Sequence, residues 1–232
     1  MGRAFDVTTS TAASVLRWTG GLGASHPVKT QPEKLLELYE FEACPFCRKL
    51  REALTAFDLD AKIFPCPRGG PFRDIVRERG GKEQFPYLVD PNTGTAMYES
   101  MGIIDYLAKT YGDGTKPLLL SMGPLTTLGA GLAGAMRAGR GGRSRPSKPP
   151  PLPLELWSYD ASPYSRLARE TLCELSLPYV LHNVGKGSSK RAAFVQRSGK
   201  MRVPYLVDPN TDTAMFESGD IVAYLDRTYG AP

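Results

Sequence analysis

The chain has 232 residues, 41% apolar and 23% charged, a usage that supports a packed core divided into one or two domains. Its four cysteines, Cys44, Cys47, Cys66 and Cys173, are too few for a disulfide scaffold. The net charge of +5 is carried by one stretch, residues 137–148, whose Arg137, Arg140, Arg143, Arg145 and Lys148 meet no acid, so the remainder is neutral and calls for no polyanionic partner.

Several expectations follow from the same totals. No secretory leader is visible, which points to a reducing intracellular compartment. Two histidines and four cysteines do not supply a dedicated zinc cage, and only Cys44, Cys47 and Cys66 remain as an open ligand set. The Gly-, Pro- and Ser-rich basic stretch reads as a flexible, solvated linker arm. It has no interleaved aromatics to stack on bases, so nucleic acid is not an expected partner.

In chain order, residues 1–34 form an N-terminal extension with a Ser/Thr-rich start. "LLELYEF" (35–41) reads as a strand, and "CPFC" (44–47) follows it. Pro45 suits a first helical position, and Leu50, Leu54 and Phe57 continue at helical spacing. "AKIF" (61–64) reads as a second strand before the loop "PCPRGGP", and residues 72–79 as a charged helix. "YLVD" (87–90) and "TAMY" (95–98) form a hairpin around "PNTG". Ser100 is expected to cap a last helix, 101–111, stopped by Gly112. The order is βαβ, then α, then ββα. A right-handed crossover gathers Cys44, Cys47 and the Cys66 loop at one sheet edge.

Residues 36–112 fall on residues 154–230 at a constant shift of 118 without a gap, and roughly four positions in ten are identical. "LELYEFEACPFCRKLREAL" matches "LELWSYDASPYSRLARETL", and "FPYLVDPNTGTAMYES" matches "VPYLVDPNTDTAMFES". The same shift extends weakly upstream, setting Thr8 and Thr9 on Thr126 and Thr127, and Gly21 and Gly23 on Gly139 and Gly141. Residues 117–136 are uncharged, yet their counterpart is too polar to span a bilayer, so a short helix on its own unit is expected rather than a membrane span. The reading is therefore a βαβ-α-ββα unit at 35–114, an apolar then basic linker at 115–153, and a second such unit at 154–232, packed about a pseudo-twofold.

Only a thiolate attacks a disulfide. Cys44 at a helix start faces unpaired N–H groups and the positive end of the helix dipole, which favour the anion. Cys47, one turn inward, is placed to resolve a mixed disulfide on Cys44. Cys66 is either a third thiol at the same edge or a packed loop residue, and Cys173 is read as core. In the second unit Ser162 and Ser165 replace both sulfurs, which removes thiol–disulfide exchange there.

"CPFC" between strand and helix, a later "FPYLVD" and then "ES" resembles the glutaredoxin-like thioredoxin fold, in the form used as the N-terminal domain of glutathione transferases. The duplication, with "FPCPRGG", "GGKEQFPYLVDPNTG" and "YES", resembles a tandem family of plants, algae and cyanobacteria, which implies a plastid stroma or a cytoplasm. In the resembled folds the bond before Pro86 is cis and turns the Phe85 backbone toward the cysteines, to pair with glutathione as a short added strand. The helix start at Ser100 and the Glu99 carboxylate match the zwitterionic γ-glutamyl end of glutathione. Val203, Pro204, Glu217 and Ser218 keep those positions in the second unit, beside Ser162.

The expected activity is a glutathione-linked thiol–disulfide exchange on disulfide or glutathionylated substrates, with the second unit redox-dead. The alternatives are a transferase using Ser162 or Cys44 on an electrophile, and a non-catalytic binding or assembly module. A minor fourth is a shared iron–sulfur cluster held by Cys44 and glutathione.

Overall fold

The apolar run that opens each repeat forms the central strand of its unit: β1, Leu36–Glu40, in the first and β5, Leu154–Ser158, in the second. The structure is a computed structural model that describes residues 21–121 and 139–231. In unit one, α1 (Pro45–Ala56) crosses to β2 (Ala61–Pro65), and α2 (Phe72–Gly80), β3 (Tyr87–Asp90), β4 (Thr95–Tyr98) and α3 (Ser100–Tyr111) follow. A four-residue helix, α4 (Leu118–Ser121), is the described part of the uncharged 117–136 stretch. Unit two repeats the order with α5 (Pro163–Glu174), β6 (Tyr179–Asn183), α6 (Arg191–Ser198), β7 (Tyr205–Asp208), β8 (Thr213–Phe216) and α7 (Ser218–Tyr229). The Ser/Thr-rich start, its match to Thr126 and Thr127, and Arg137 lie outside the described residues.

The eight strands form one sheet in the order β4-β3-β1-β2-β6-β5-β7-β8, which reads the same from either end. β1 and β2 are parallel, as the helical crossover requires, and β3 and β4 are an antiparallel hairpin. The join between units is the antiparallel pair β2–β6, where Lys62 faces Val180. Those two residues are 118 apart and equivalent in the repeat, so a pseudo-twofold axis passes through this pair. Each unit thereby covers the other's open edge, which would otherwise be a template for stray pairing.

Alternation along β1 sends Leu36, Leu38 and Glu40 to one face of the sheet and Tyr39 to the other. On the first face α1, α3, α5 and α7 cover a single core that runs through both units, from Leu36, Leu50 and Ile104 to Leu156, Leu172 and Leu225. On the second face two separate aromatic clusters form, Tyr39, Tyr87 and Val76 with Cys66, and Trp157, Tyr205 and Phe194 with Val184.

Three expectations are corrected. The basic arm is not free in its described part: Arg145 donates through its backbone to the Glu174 carbonyl at 2.7 Å and through its guanidinium to Glu174 and Asp226 at 3.1 and 2.8 Å. Composition alone does not reveal that acids on the unit surface await these cations. The upstream match also slips by two. Gly21 is equivalent to Gly141, not Gly139, because their neighbours correspond: a Cβ on Gly21 would meet Asp160 Cβ at 2.8 Å, and one on Gly141 would meet Glu42 Cβ at 2.6 Å. Both glycines have φ of 72°, so no other residue fits that close approach without strain. Finally, Ser100 is the first helical residue rather than the cap; Glu99 holds the cap position at φ 69°, with no side-chain capping bond.

The two glycine arms are exchanged between the units. Residues 21–24 bond to unit two, with Gly21 O accepting from Ala161 N and Leu22 O from Lys186 N, both at 3.0 Å. The chain then returns to unit one through His26 N to Ala56 O at 2.9 Å and Val28 N to Phe57 O at 3.0 Å. Related by the pseudo-twofold, Arg68 N donates to Gly142 O at 2.8 Å and Ser144 N to Arg68 O at 2.9 Å, before Lys148 N reaches Tyr229 O of unit two at 2.8 Å.

Candidate functional site

The strand-to-helix turn places Cys44 at the N-cap of α1, with φ −77° and ψ 123°, and Pro45 begins the helix. Cys44 Sγ accepts the Cys47 backbone N–H at 3.2 Å. The Cys47 thiol, donating to it, lowers the Cys44 pKa most. Burial opposes that effect, the backbone N–H groups of Cys47 and Phe46 add to it, and the Glu40 carboxylate works against it; the net shift is downward. Burial pushes Cys47 well above the ordinary range, and its hydrogen bond to Cys44 and the charge on Glu40 push it further. Cys44 is 5% exposed and Cys47 fully enclosed, so a reagent meets Cys44 first. Phe46 between them stands out at 48% exposure.

Cys66 lies across the sheet from this pair. It belongs to the aromatic cluster of the second face, is fully enclosed, and donates its thiol to Phe64 O at 3.3 Å. Burial raises its pKa. Cys173 is buried in α5, donating to Gly141 O at 3.1 Å and accepting from Glu42 N at 3.5 Å. All four cysteines are free. Among the described residues no group of three or more His, Cys, Asp or Glu side chains could hold a metal ion, and no helix is long and apolar enough to cross a membrane.

The bonds Phe85–Pro86 and Val203–Pro204 are both cis. Phe85 packs edge-on against Phe41, the residue after β1, with ring centroids 5.8 Å apart. The Arg73 guanidinium lies over both rings, at 4.8 Å from Phe85 and 5.5 Å from Phe41, and its Nε donates to Cys66 O and Pro67 O. Ser100 is buried at the start of α3, and Glu99 beside it is exposed. The fold thus brings the β1–α1 turn, the Phe85–Pro86 turn and the α3 start toward one end of unit one.

Unit two repeats the frame without sulfur. Ser162 caps α5, and its Oγ accepts Ser165 N at 3.2 Å, the same length as in unit one. The Ser165 hydroxyl, in the place of the Cys47 thiol, is buried without a hydrogen-bond partner among the described residues. Glu217, like Glu99, has positive φ (67°) and precedes the buried Ser218.

A difference that motif reading passes over sits beside these acids. Gln84 Nε2 donates to Glu99, whereas its counterpart Arg202 forms an ion pair with Glu217 at 2.8 Å. Glu99 is thus held by a neutral amide where Glu217 is held by a cation. The signal is in the sequence, where the shift of 118 pairs Gln84 with Arg202.

Behind the turns, α1 and α5 meet over the pseudo-twofold through a buried charge cluster. Arg51 reaches Asp160 at 3.1 Å, Glu42 at 3.3 Å and Glu40. Arg169 reaches Glu42 at 3.2 Å and Asp160 at 3.4 Å. Each central acid thus bridges arginines of both units.

The sequence matches the family described as "Glutathione S-transferase, N-terminal domain" twice, over residues 38–116 and 156–232. It is 35% identical over 78 residues to the glutathione S-transferase-like protein gedE of Aspergillus terreus, which is 34% of each chain. It is 40% identical over 58 residues to the glutathione S-transferase-like protein tpcF of Aspergillus fumigatus, 25% of this chain and 26% of that one. The chain thus spans about a third or less of the length of these relatives. Among solved structures, the trimeric glutathione transferase TDR1 of Leishmania superposes with a TM-score of 0.31 at 14% identity, over 86% of this chain and 68% of that one.

Proposed function

The chain belongs to the glutathione S-transferase N-terminal-domain family, and on that premise we propose that it is a glutathione-linked thiol–disulfide oxidoreductase working through unit one. The observation that carries the reading is the Cys44 sulfur at a helix start, accepting the Cys47 N–H with its pKa drawn down. Cys44 thiolate attacks a substrate disulfide and retains one half as a mixed disulfide; Cys47 or a free thiol then displaces that half. The residues present fit glutathione. Phe85 offers backbone groups at the edge of β3, the start of α3 at Ser100 suits a carboxylate, and Glu99, held by neutral Gln84, suits an ammonium. When bound, glutathione supplies the reducing thiol.

Unit two is a redox-dead partner, since a hydroxyl forms no disulfide. Its Ser162, Val203, Pro204, Glu217 and Ser218 keep the frame of a second site, weakened for an ammonium by Arg202. Substrates are small or protein-borne disulfides, and the compartment is a reducing one, a plastid stroma or a cytoplasm.

The test is reduction of a small mixed disulfide by glutathione, with Cys44→Ser as control. Wild-type turnover that disappears in the variant is expected, and equal rates would remove the reading. A second reading, conjugation of an electrophile through Ser162 or Cys44, is favoured by the transferase-like names of the relatives. It requires conjugation that persists in Cys47→Ser.

A further inference from the structure

Arg73 of α2 touches three loops at the end of unit one that carries Cys44. Its guanidinium lies over the rings of Phe41 and Phe85, at 5.5 and 4.8 Å, and those rings meet edge to face at 5.8 Å. Phe41 belongs to the turn that holds the nucleophile, because Cys44 N donates to Phe41 O at 3.1 Å. Phe85 belongs to the loop that leads into β3. Arg73 Nε donates to Cys66 O at 3.1 Å and to Pro67 O at 2.9 Å in the loop after β2, and its Nη1 reaches Glu83 in the loop after α2. Its side chain is 19% exposed, so this is a packed cation rather than a surface one.

The repeat separates what the fold needs from what is added. Arg191, the counterpart of Arg73, keeps the bond to the loop after the second strand: its Nε donates to Val184 O at 3.1 Å, and Val184 corresponds to Cys66. Tyr159, Met201 and Val203 stand where unit one has Phe41, Glu83 and Phe85, so Arg191 has no carboxylate and no second ring to meet in those places. Unit two still reaches the same frame, with Ser162 at its cap and β7 paired to β5. The tie between Arg73, Phe41 and Phe85 is therefore not a requirement of the fold; it accompanies the thiols. Glu83 is also held by Arg77 at 2.8 Å, so what Arg73 adds is the bridge to the two rings.

We propose that Arg73 is a positioning residue for substrate: it clamps Phe85 against Phe41, and so fixes the Phe85 backbone beside the Cys44 turn, where a glutathionyl chain pairs. This rests on the thiol–disulfide reading of unit one, in which Phe85 offers its backbone to glutathione. In this role Arg73 touches neither sulfur nor substrate. The attraction of a cation for a ring face has little direction of its own, and the carbonyls of Cys66 and Pro67 supply the aim. Without the clamp the thiols keep their places at the start of α1, which the cap and the first helical turn set. The Phe85 edge is then no longer held in one position, so binding weakens while the chemistry at Cys44 does not.

The experiment uses the full chain and the mixed disulfide of glutathione and mercaptoethanol, reduced by excess glutathione. In Arg73→Met the KM for the disulfide should rise at least about fivefold, with kcat and the alkylation rate of Cys44 within about twofold of wild type. Arg73→Lys returns a cation to the rings and should recover roughly half or more of that rise. The same disulfide esterified at its glycyl carboxylate separates positioning from direct contact. A positioning Arg73 costs both substrates the same factor, whereas a guanidinium that binds the carboxylate costs the ester nothing. An unchanged KM in Arg73→Met, a lysine variant no better than methionine, or an effect confined to the unesterified substrate overturns the proposal. A parallel fall in kcat and in Cys44 alkylation marks a general loss of structure and overturns it as well. Absence of Cys44-dependent turnover in wild type would instead sink the thiol–disulfide reading. Arg73 would then be judged by backbone hydrogen exchange: residues 82–87 should exchange faster in Arg73→Met while their counterparts, 200–205, stay as they are. No difference at 82–87 overturns the clamp.

Discussion

Cys44 and Ser162 occupy the same cap with the same 3.2 Å bond, and only the atom that accepts it differs. The helix start is indifferent to which atom it holds; chemistry follows from sulfur alone. Alkylation with a neutral reagent across pH is expected to show Cys44 reacting with a midpoint below the roughly 8.5 of a free thiol, and Cys47 reacting only far above it. The sign follows from the cap: the Cys47 thiol and the N–H groups stabilise the Cys44 anion, so its reactivity persists to lower pH. A free-thiol midpoint at Cys44 would remove the nucleophile. The Gln84/Arg202 difference gives a second outcome at this scale. Gln84→Arg should weaken glutathione binding by about 0.2–1 kcal/mol, the worth of an exposed ion pair, as read by titration calorimetry. An unchanged affinity would mean that Glu99 does not meet the ammonium.

The element with the highest identity between the units is the hairpin and the helix behind it, and its reason is structural. Asp90, fully buried at the end of β3, accepts from Tyr106 at 2.7 Å and Tyr111 at 2.6 Å on α3, and it organises the "PNTG" turn through Asn92. Asp208 does the same with Tyr224, Tyr229 and Asn210. Burial alone would raise the Asp90 pKa, but the Tyr111 and Tyr106 hydroxyls and the Asn92 groups outweigh it and hold it low. Tyr111→Phe should cost about 1.5–3 kcal/mol at pH 7, read from denaturant midpoints. A depressed carboxylate stabilises above its unfolded pKa and loses that contribution as pH falls through the folded one, so the penalty should shrink in acid. A penalty independent of pH would count against an ionised Asp90.

At the scale of the whole molecule, the continuous sheet, the exchanged arms and the shared charge cluster tie the units into one body. Removing one partner of a buried ion network leaves an uncompensated charge, at a cost of about 3–5 kcal/mol. Arg169→Ala, in the unit without thiols, should therefore destabilise both units, and calorimetry should show one transition at a lower temperature. Two separate transitions, with unit one unmoved, would mean that the units fold independently.

Much of each unit was legible in the chain. The shift of 118, the βαβ-α-ββα order and the hairpin limits are local patterns, set by periodicity, proline and turn residues, and "YLVD" and "TAMY" fall on the strands residue for residue. The positions of Cys44 and Cys47 are equally local, because a cap and its first turn lie within four residues. Tertiary structure decided the rest. Arg48, Arg51 and Glu52 sit on α1 as an ordinary solvated face would, but they are buried, Arg48 and Arg51 against Asp160 of unit two and Glu52 beside the Gly21 arm. The arms that composition reads as a free linker become fixed because acids and open backbone groups distant in sequence meet them. Cys66, placed by order alone near Cys44 and Cys47, is carried through the sheet by the alternation of β2. Sequence determines what each short segment prefers; which unit it completes depends on contacts more than a hundred residues apart, and those form only when the two halves close on their axis.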